Sequence, residues 1–252
     1  MKNQRVTSFL VVLLIIVLWH YASIFKILPD FFPSPTGTLK VFLRMFLDGT
    51  LPRHLIESLV RLLTGLSIAC VVGFAVGGIL ASSAFLSTIL YPLLGFFLSI
   101  PTVAWVPLLI VIFGLGARTV VIAVFLGGFF EITYSTYQGI RTIPQSLTNA
   151  ARTMGVSSAR LFFDVHLPGS LPSVLPSLRL AAGYAWRALV GAEMLSSMLR
   201  WGIGKMIFEA RYWNDLGVMF AGLICIWSVA CLFEKAVALL EKRTLGKWGI
   251  AR

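Results

Sequence analysis

The chain has 252 residues, of which 58% are hydrophobic and 12% are charged, and its formal net charge is +11. Soluble globular domains carry about 25% charged residues, so this composition excludes an ordinary soluble protein and indicates an integral membrane protein. The basic residues are scattered along the chain, which argues against nucleic-acid binding and is typical of the ends of membrane spans. Because no polar block is large enough to form an aqueous core, we expect one transmembrane domain over residues 1–252.

Six apolar segments are each long enough to cross a bilayer as a helix, which requires about 20 residues. They are Val6–Phe25, Leu55–Ser82, Leu86–Phe113, Arg118–Gln138, Leu171–Leu195 and Leu216–Leu240. The first resembles a signal peptide because Lys2 and Arg5 precede it. It runs on without an A-x-A cleavage site, however, which favours an uncleaved first span. The sequence therefore predicts an all-α, multi-pass protein with both termini on one side.

The distribution of basic residues predicts which side that is. With the termini and the loop at about 141–170 inside, ten basic residues lie inside and eight lie outside. Positive residues are enriched in cytoplasmic loops, so we expect cytoplasmic N- and C-termini.

The second and third spans carry features of a packed bundle. The second has small residues at every fourth position, which allow two helix backbones to approach closely. These residues are Gly65, Ala69, Gly73, Gly77 and Ala81. The third contains three prolines, and broken backbone at membrane depth is tolerated where protein or a water-filled cavity covers it. The break therefore either lines a translocation path or serves packing alone.

Two amphipathic stretches, Pro33–Gly49 and Gly202–Trp213, predict short interfacial or re-entrant helices.

Charged residues inside spans are expensive, at about 2.5 to 3.5 kcal/mol each, and therefore mark candidate functional positions. Four of them stand out, namely Glu131, Arg179, Arg187 and Glu193. Arg187 and Glu193 lie six residues apart, about 120° around a helix, so they do not pair with each other. Arg187 could hold an anion in a translocation pathway, or these charges could form structural ion pairs such as Glu131 with Arg187. The aromatic residues Trp105, Tyr134 and Trp186 either line the same cavity or pack the bundle.

The chain lacks the motifs of nucleotide, metal or nucleophile chemistry. The segment "WGIGKM" does not fit the P-loop pattern, because the first glycine is missing and Met206 follows Lys205. The three histidines are far apart in sequence and lack ligand spacing. No G-x-S-x-G nucleophile motif is present. We therefore expect neither a cofactor nor an enzymatic activity in this chain.

The polar loop at about 141–170 predicts two short helices around a hinge. Pro144 suits a first helical turn, and Gly155 ends the first helix. Ser157 or Ser158 can cap a second helix, which we expect to stop at Pro168 before the fifth span. An amphipathic unit of this kind docks either on the lipid interface or in a groove of a partner protein.

The same loop resembles the EAA motif of ABC-importer permeases, which reads E-A-A, three residues, G, nine residues and I-x-L-P. The matching residues are Asn149, Ala150, Ala151, Gly155, Val165, Leu167 and Pro168. Asn149 replaces the glutamate and Val165 the isoleucine, which puts any charge contact of the glutamate in doubt. "ESLVRLLTGLSIACVVGFAVGG", "PTVAWVPLLIVIFGLG", "LPSLRLAAGYAWRALVGAEML" and "EKRTLGKW" resemble the nitrate, sulfonate, taurine and bicarbonate branch of that family. Glu131 departs from that branch's usual residue after its paired phenylalanines.

The resemblance implies a type I ABC-importer permease of the bacterial inner membrane. It implies a permease homodimer in membrane lipid, two cytoplasmic ATP-binding subunits that bind ATP and Mg and grip the loop, and an extracytoplasmic binding protein. It implies uptake of a small anion such as a sulfonate, taurine or nitrate by alternating access. A neutral or aromatic vitamin-precursor-like solute is the alternative substrate. A secondary transporter without an ATPase and a membrane-embedded enzyme or sensor are the rival functions.

Overall fold

A computed structural model of the chain describes residues 2–27, 29 and 31–245, and all regular elements in these ranges are helices. The helices are α1 (Lys2–Ile24), α2 (Pro35–Leu47), α3 (Thr50–Ser82), α4 (Ala84–Ser99), α5 (Val106–Phe113), α6 (Ala117–Arg141), α7 (Gln145–Thr153), α8 (Ser158–Arg160), α9 (Leu167–Leu195), α10 (Ile203–Ala210) and α11 (Leu216–Leu245). Residues 246–252, which include the end of "EKRTLGKW" and the C-terminus, lie outside the described residues, as does Met1.

The helices form two compact units. The first comprises the described residues up to Ser58 together with Arg200–Trp227, and the second comprises Leu59–Leu199 together with the described residues from Ser228 onward. All of the residues predicted for coupling and for the translocation pathway lie in the second unit.

The first unit contains both amphipathic stretches, and both are helical. Ser34 caps α2, where its hydroxyl accepts a hydrogen bond from the Gly37 N–H at 3.0 Å. At the start of α10, the Ser58 hydroxyl accepts a hydrogen bond from the Ile203 N–H at 2.9 Å. Trp19, Phe32 and Phe220 contact one another through their rings. The predicted short helices are therefore confirmed.

The second unit is built around α6, which packs closely on both α3 and α9. A Cβ atom added at Gly127 of α6 would lie 2.9 Å from the Cα atom of Ala185 in α9, and one added at Gly77 of α3 would lie 2.7 Å from the Thr133 carbonyl oxygen of α6. These distances leave no room for a side chain at either position. The small-residue stripe predicted in the second span therefore does bring two helix backbones together.

Within the described residues, three helices are long and apolar enough to cross a membrane, namely α3, α6 and most of α11, and a bent pair makes a fourth candidate. Helices occupy all six places where spans were predicted. The apolar part of α1 is shorter than expected, and α9 is less apolar than expected. The apolar part of α1, Leu10–Ile24, is short. The helix α9 carries the charges of Arg179, Arg187 and Glu193 within a run of small and polar residues, which lowers its hydropathy.

The third predicted span is broken, as its prolines suggest. The helix α4 ends at Ser99, a 3-10 turn covers Thr102–Trp105, and the two halves are bent by 97°. Pro101 precedes the turn and Pro107 lies in the first turn of α5, where a missing N–H costs little. The helix is therefore interrupted at positions where these two prolines cost few backbone hydrogen bonds.

The predicted helix stop at Pro168 is wrong. The chain stays helical from Ser158 to Leu195, because a π-helical segment at Leu161–His166 joins α8 to α9. In this segment the Leu167 N–H donates to the Phe162 carbonyl, five residues back. Pro168 has no N–H to donate, and it follows directly after this wider turn, in the first turn of α9. It therefore does not end the preceding helix.

Candidate functional site

The two charged residues near the end of α9 face different surroundings. Glu193 is 0% exposed, and one of its carboxylate oxygens lies 2.8 Å from an Arg61 guanidinium nitrogen on α3. Arg187 is exposed, and in the described part of the chain no carboxylate lies within ion-pair distance of it. Of the structural ion pairs considered, the example of Glu131 with Arg187 does not form among the described residues, and the buried pair joins Glu193 to Arg61. Sequence reasoning missed Arg61, although it too is a charge inside an apolar span.

Glu131 and Tyr134 belong to a polar cluster on α6. The Ser135 hydroxyl lies 3.2 Å from a carboxylate oxygen of Glu131. The Tyr91 hydroxyl of α4 donates to the Tyr134 hydroxyl at 3.2 Å, and the Gln138 amide donates to Tyr91 at 2.6 Å. Tyr91 and Gln138 escaped notice because neither is charged. This cluster ties α4 to α6 on the loop side of the proline break.

A cavity of about 290 Å³ lies at the proline break, and we call it the break cavity. Its lining includes Phe97, Pro101, Trp105, Gly127, Tyr184 and Arg187. The Arg187 guanidinium carbon lies 6.0 Å from the centroid of the Tyr184 ring, a distance at which a cation–π attraction holds the side chain loosely. The break therefore lines a cavity, and it combines one unpaired guanidinium with aromatic walls.

This combination suits an anion with a small apolar part. A guanidinium presents a planar fork of donors that matches a carboxylate or sulfonate, and apolar walls strengthen that interaction by excluding water. Of the six residues predicted for the pathway, the break cavity collects Trp105 and Arg187. Glu131, Tyr134 and Glu193 do not line it, and Trp186 lines a second cavity between α9 and α11.

The loop predicted to carry the EAA-like motif forms a compact helical unit. Gly155 has a φ of +76° and follows α7, which is a conformation that favours glycine. Ser157 caps α8 through its hydroxyl, as expected. Phe162 packs against Gly78 of α3, which anchors the unit on the bundle. Val165, Leu167 and Pro168 are partly buried in the stretch that leads into α9.

The two alanines of the motif differ in exposure. Ala151 is only 5% exposed and packs inside the unit, whereas Ala150 and Asn149 are exposed. Leu147 and Met154 flank Ala150 on the same face and are exposed as large apolar side chains. Residues 147, 150 and 154 share one face of the helix because they follow its i, i+3, i+7 spacing. The surface open to a partner is therefore centred on Ala150.

Residues 69–246 match the protein family described as "Binding-protein-dependent transport system inner membrane component". The taurine transport system permease protein TauC of Escherichia coli (strain K12) is 32% identical over 235 residues, which cover 91% of this chain and 85% of that protein. The bicarbonate transport system permease protein CmpB of Synechococcus elongatus is 33% identical over 210 residues, covering 81% of this chain and 75% of that protein.

Two further relatives extend this pattern. The putative aliphatic sulfonates transport permease protein SsuC of Bacillus subtilis is 32% identical over 216 residues, covering 86% of this chain and 77% of that protein. Among solved structures, an inward-facing conformation of the MetNI methionine ABC transporter matches with a TM-score of 0.67 and 20% identity, covering 77% of this chain and 95% of that one. At this identity the likeness concerns the fold.

The buried Arg61–Glu193 pair predicts strong energetic coupling between α3 and α9. Arg61→Met or Glu193→Leu alone leaves the other charge buried, so each should lower the free energy of unfolding by about 3–5 kcal/mol. The double variant should recover much of this loss, because no unpaired charge remains. Detergent unfolding of the purified variants measures the three values. Additive losses would contradict the pairing.

His166 predicts a pH dependence of the loop. Its Nε2 atom lies 3.3 Å from the Thr148 hydroxyl of α7. Burial, aided by the charge of Arg152, lowers the pKa of His166 below its ordinary value of 6.5. The folded loop therefore favours the neutral imidazole. The stability that the loop gains from this preference is complete above pH 6.5, and it is lost as the pH falls from that value toward the lowered pKa.

Hydrogen exchange of residues 145–166, corrected for intrinsic rates, measures this effect. Exchange should be faster at about pH 5.5 than at about pH 7.5. His166→Gln, which cannot titrate, should remove the difference. An equal pH dependence in this variant would assign the effect to another group.

Proposed function

Because the chain belongs to the family of binding-protein-dependent transport system inner membrane components, we propose that it carries a small oxyanion inward by alternating access. Family membership makes it an integral permease subunit of the inner membrane, in the branch that contains taurine, sulfonate and bicarbonate permeases. Its fold is that of a type I ABC-importer permease. The transported solute and the mechanical cycle are our proposals.

The break cavity is the observation that carries the substrate proposal. Arg187 is the charged group there, and the aromatic residues Phe97 and Trp105 form apolar walls. A charge kept inside a membrane helix without an ion-pair partner is costly unless it serves a ligand. An oxyanion that arrives from the binding protein would offset this cost by accepting hydrogen bonds from the guanidinium. We assign Glu193 a structural role instead, because Arg61 already neutralises it.

The loop at about 141–170 supports the proposed mechanism. Permeases of this family work with an ATPase and a substrate-binding protein. We propose that two cytoplasmic ATP-binding subunits, which hold the ATP and Mg, dock on the exposed face formed by Leu147, Ala150 and Met154. The chain itself is a transporter subunit and not an enzyme. A second copy of this chain would complete the permease within the lipid, with both termini on the cytoplasmic side.

Asn149 modifies this proposed contact. It is exposed next to Ala150 and lines a polar cavity of about 710 Å³ together with Arg152 and His166. An amide is neutral, so it cannot make the ion pair that a glutamate would make with a basic residue of the partner. We propose that apolar packing around Ala150 carries more of the docking here than charge does.

The aromatic walls of the break cavity favour one alternative substrate class. Phe97, Trp105 and Phe130 could stack on a neutral or aromatic vitamin-precursor-like solute. In that case Arg187 would bind a polar substituent, and simple oxyanions would not be transported.

The docking proposal predicts that variants of the loop uncouple ATP hydrolysis from uptake. Gly155→Leu should prevent coupling because φ at this position is +76°, a conformation that a leucine rarely adopts. Ala150→Asp should do the same by placing a charge in the apolar contact. Gln145→Asp adds the same charge to the other side of α7 and serves as the control.

Uptake and ATPase activity of the reconstituted transporter measure this, with membrane insertion checked separately. Both test variants should lose at least about tenfold in uptake, while the control keeps it. Normal coupling in both would contradict the proposal, and uptake driven by an ion gradient without an ATPase would favour a secondary transporter.

The substrate proposal predicts that Arg187→Met lowers the kcat/KM of oxyanion uptake by about tenfold or more, because a charged hydrogen bond is lost. Uptake of taurine, nitrate and bicarbonate, each with the cognate binding protein, measures it. Arg118→Gln, at the start of α6, is the control. Uptake of an aromatic solute that survives Arg187→Met, with no oxyanion uptake by the wild type, would establish the alternative class.

A further inference from the structure

A second cavity lies between α9 and α11, and we call it the inner cavity. It has a volume of about 130 Å³, the space of about four water molecules. Its lining comprises Arg179, Ala182, Gly183, Trp186 and Arg187 from α9 and Ala230, Phe233, Glu234 and Val237 from α11. Both sets follow the i, i+3, i+4, i+7 spacing of a single helix face. The cavity is therefore a groove between two matched helix faces.

Trp186 gives this cavity an unusual donor. The residue is 5% exposed, and its Nε1 atom is buried without a hydrogen-bond partner among the described residues. An indole N–H can only donate, and buried donors are normally paired. Because Trp186 lines the inner cavity, a bound molecule that reaches this buried N–H would supply the missing acceptor.

The charges around the cavity specify what such a molecule must carry. Arg187 lines the cavity and has no ion-pair partner among the described residues, whereas Arg179 lies 3.1 Å from the Glu241 carboxylate and is largely neutralised by it. Glu234 adds an exposed carboxylate to the α11 side. The cavity thus offers the donors of Trp186 and Arg187 on one side and an acceptor on the other. A small oxyanion that also carries an ammonium group matches both sides.

Arg187 also lines the break cavity, so the two cavities share this residue. Along α9, Arg179 lies about 12 Å closer to the loop than Arg187 does, at 1.5 Å per residue. The inner cavity therefore extends from the shared arginine toward the side that carries the loop. A solute released from the break cavity would reach it next on the way inward.

We propose that the inner cavity is a second, inward binding site for an amino-substituted oxyanion of the ω-aminosulfonate type. Trp186 and Arg187 hold the oxyanion, Glu234 holds the ammonium group, and Arg187 transfers the solute from the break cavity. This assignment rests on the proposed transport function for its position on a pathway. Its binding chemistry is testable without transport.

Tryptophan emission of the purified chain in phosphatidylcholine liposomes reports on the site. The probes are taurine and isethionate, which differ in carrying an ammonium group or a hydroxyl beside the same sulfonate. Taurine should change the wild-type emission saturably, and Trp186→Phe should abolish that change. Trp227→Phe should keep it, because Trp227 is 68% exposed on α11 and does not line the cavity. The same taurine response in Trp186→Phe as in the wild type would overturn the proposal.

Two further variants separate the parts of the site. Glu234→Gln should reduce the taurine response to the level of isethionate, with the isethionate response unchanged. Gly183→Leu should block both responses, since a Cβ atom at Gly183 meets nothing within 4 Å and a larger side chain would enter the cavity. Gly95→Leu is its control, because Gly95 has equally open surroundings and does not line this cavity. Responses that persist in Gly183→Leu, or that Glu234→Gln changes equally for both probes, would overturn the proposal.

A lipid headgroup has related chemistry, because phosphatidylethanolamine also joins an oxyanion to an ammonium group. Repeating the titration in liposomes containing this lipid distinguishes the two sources. A taurine response that persists there supports a transported solute. If the lipid itself changes the emission through Trp186 and taurine has no further effect, the occupant is a headgroup and the proposal is overturned.

If the proposed transport function is wrong while the inner site exists, the experiments give a different result. In that case the reconstituted transporter shows no ATP-driven uptake of any oxyanion, although the emission response and its loss in Trp186→Phe remain. Failure of the inner site alone leaves ATP-driven uptake intact and the KM for taurine unchanged in Trp186→Phe. If the site is used in transport, that KM should rise by about tenfold, as loss of a hydrogen bond to a charged group predicts.

Discussion

The close approach of α6 to its two neighbours is the constraint on which the second unit depends. Helices in lipid gain little from hydrophobic burial against one another, so their association requires backbone contact at small residues. The contacts of Gly127 with Ala185 and of Gly77 with Thr133 supply it. A side chain larger than hydrogen at either glycine would force the helices apart. The rotation of α9 about its own axis is thereby fixed, and this rotation decides which of its polar residues meet protein.

That rotation explains why two charges on one helix have different roles. Ala185 faces α6, so Glu193 is directed into the bundle, where Arg61 of α3 neutralises it. Arg187 lies about 120° away around the helix and reaches the two cavities instead. The buried pair stabilises the position of α9, and the exposed guanidinium remains available to a ligand. Stability and ligand binding are thus assigned to different faces of the same element.

The sequence predicted most of the fold because its features are local. The lengths of the apolar segments predicted where the helices lie. The prolines predicted the break in the third span, and Gly155 predicted the hinge of the loop. The sequence did not show which side chains from distant segments contact each other. The partner of Glu193 lies 132 residues away, and helical periodicity does not identify it. Pro168 was misjudged because a proline usually ends a helix, whereas here a π-helical turn absorbs it. The different exposure of Ala150 and Ala151 was also not predicted, because it depends on how α7 packs within the folded loop.

The continuous helical path from Ser158 to Leu195 joins the loop to both cavities through one element. Pro168 and Arg187 are separated by about 28 Å along the axis of α9, and Pro172 and Pro176 lie inside the helix between them, where each removes a backbone hydrogen bond. Sharp bends in helices occur mostly at proline, so α9 deforms most readily around Pro172 and Pro176. Trp186 and Arg187 both lie beyond these prolines on the same stretch of helix, so they keep their spacing when α9 bends there. Because this stretch of α9 lines both the break cavity and the inner cavity, a change in its direction changes the width of both.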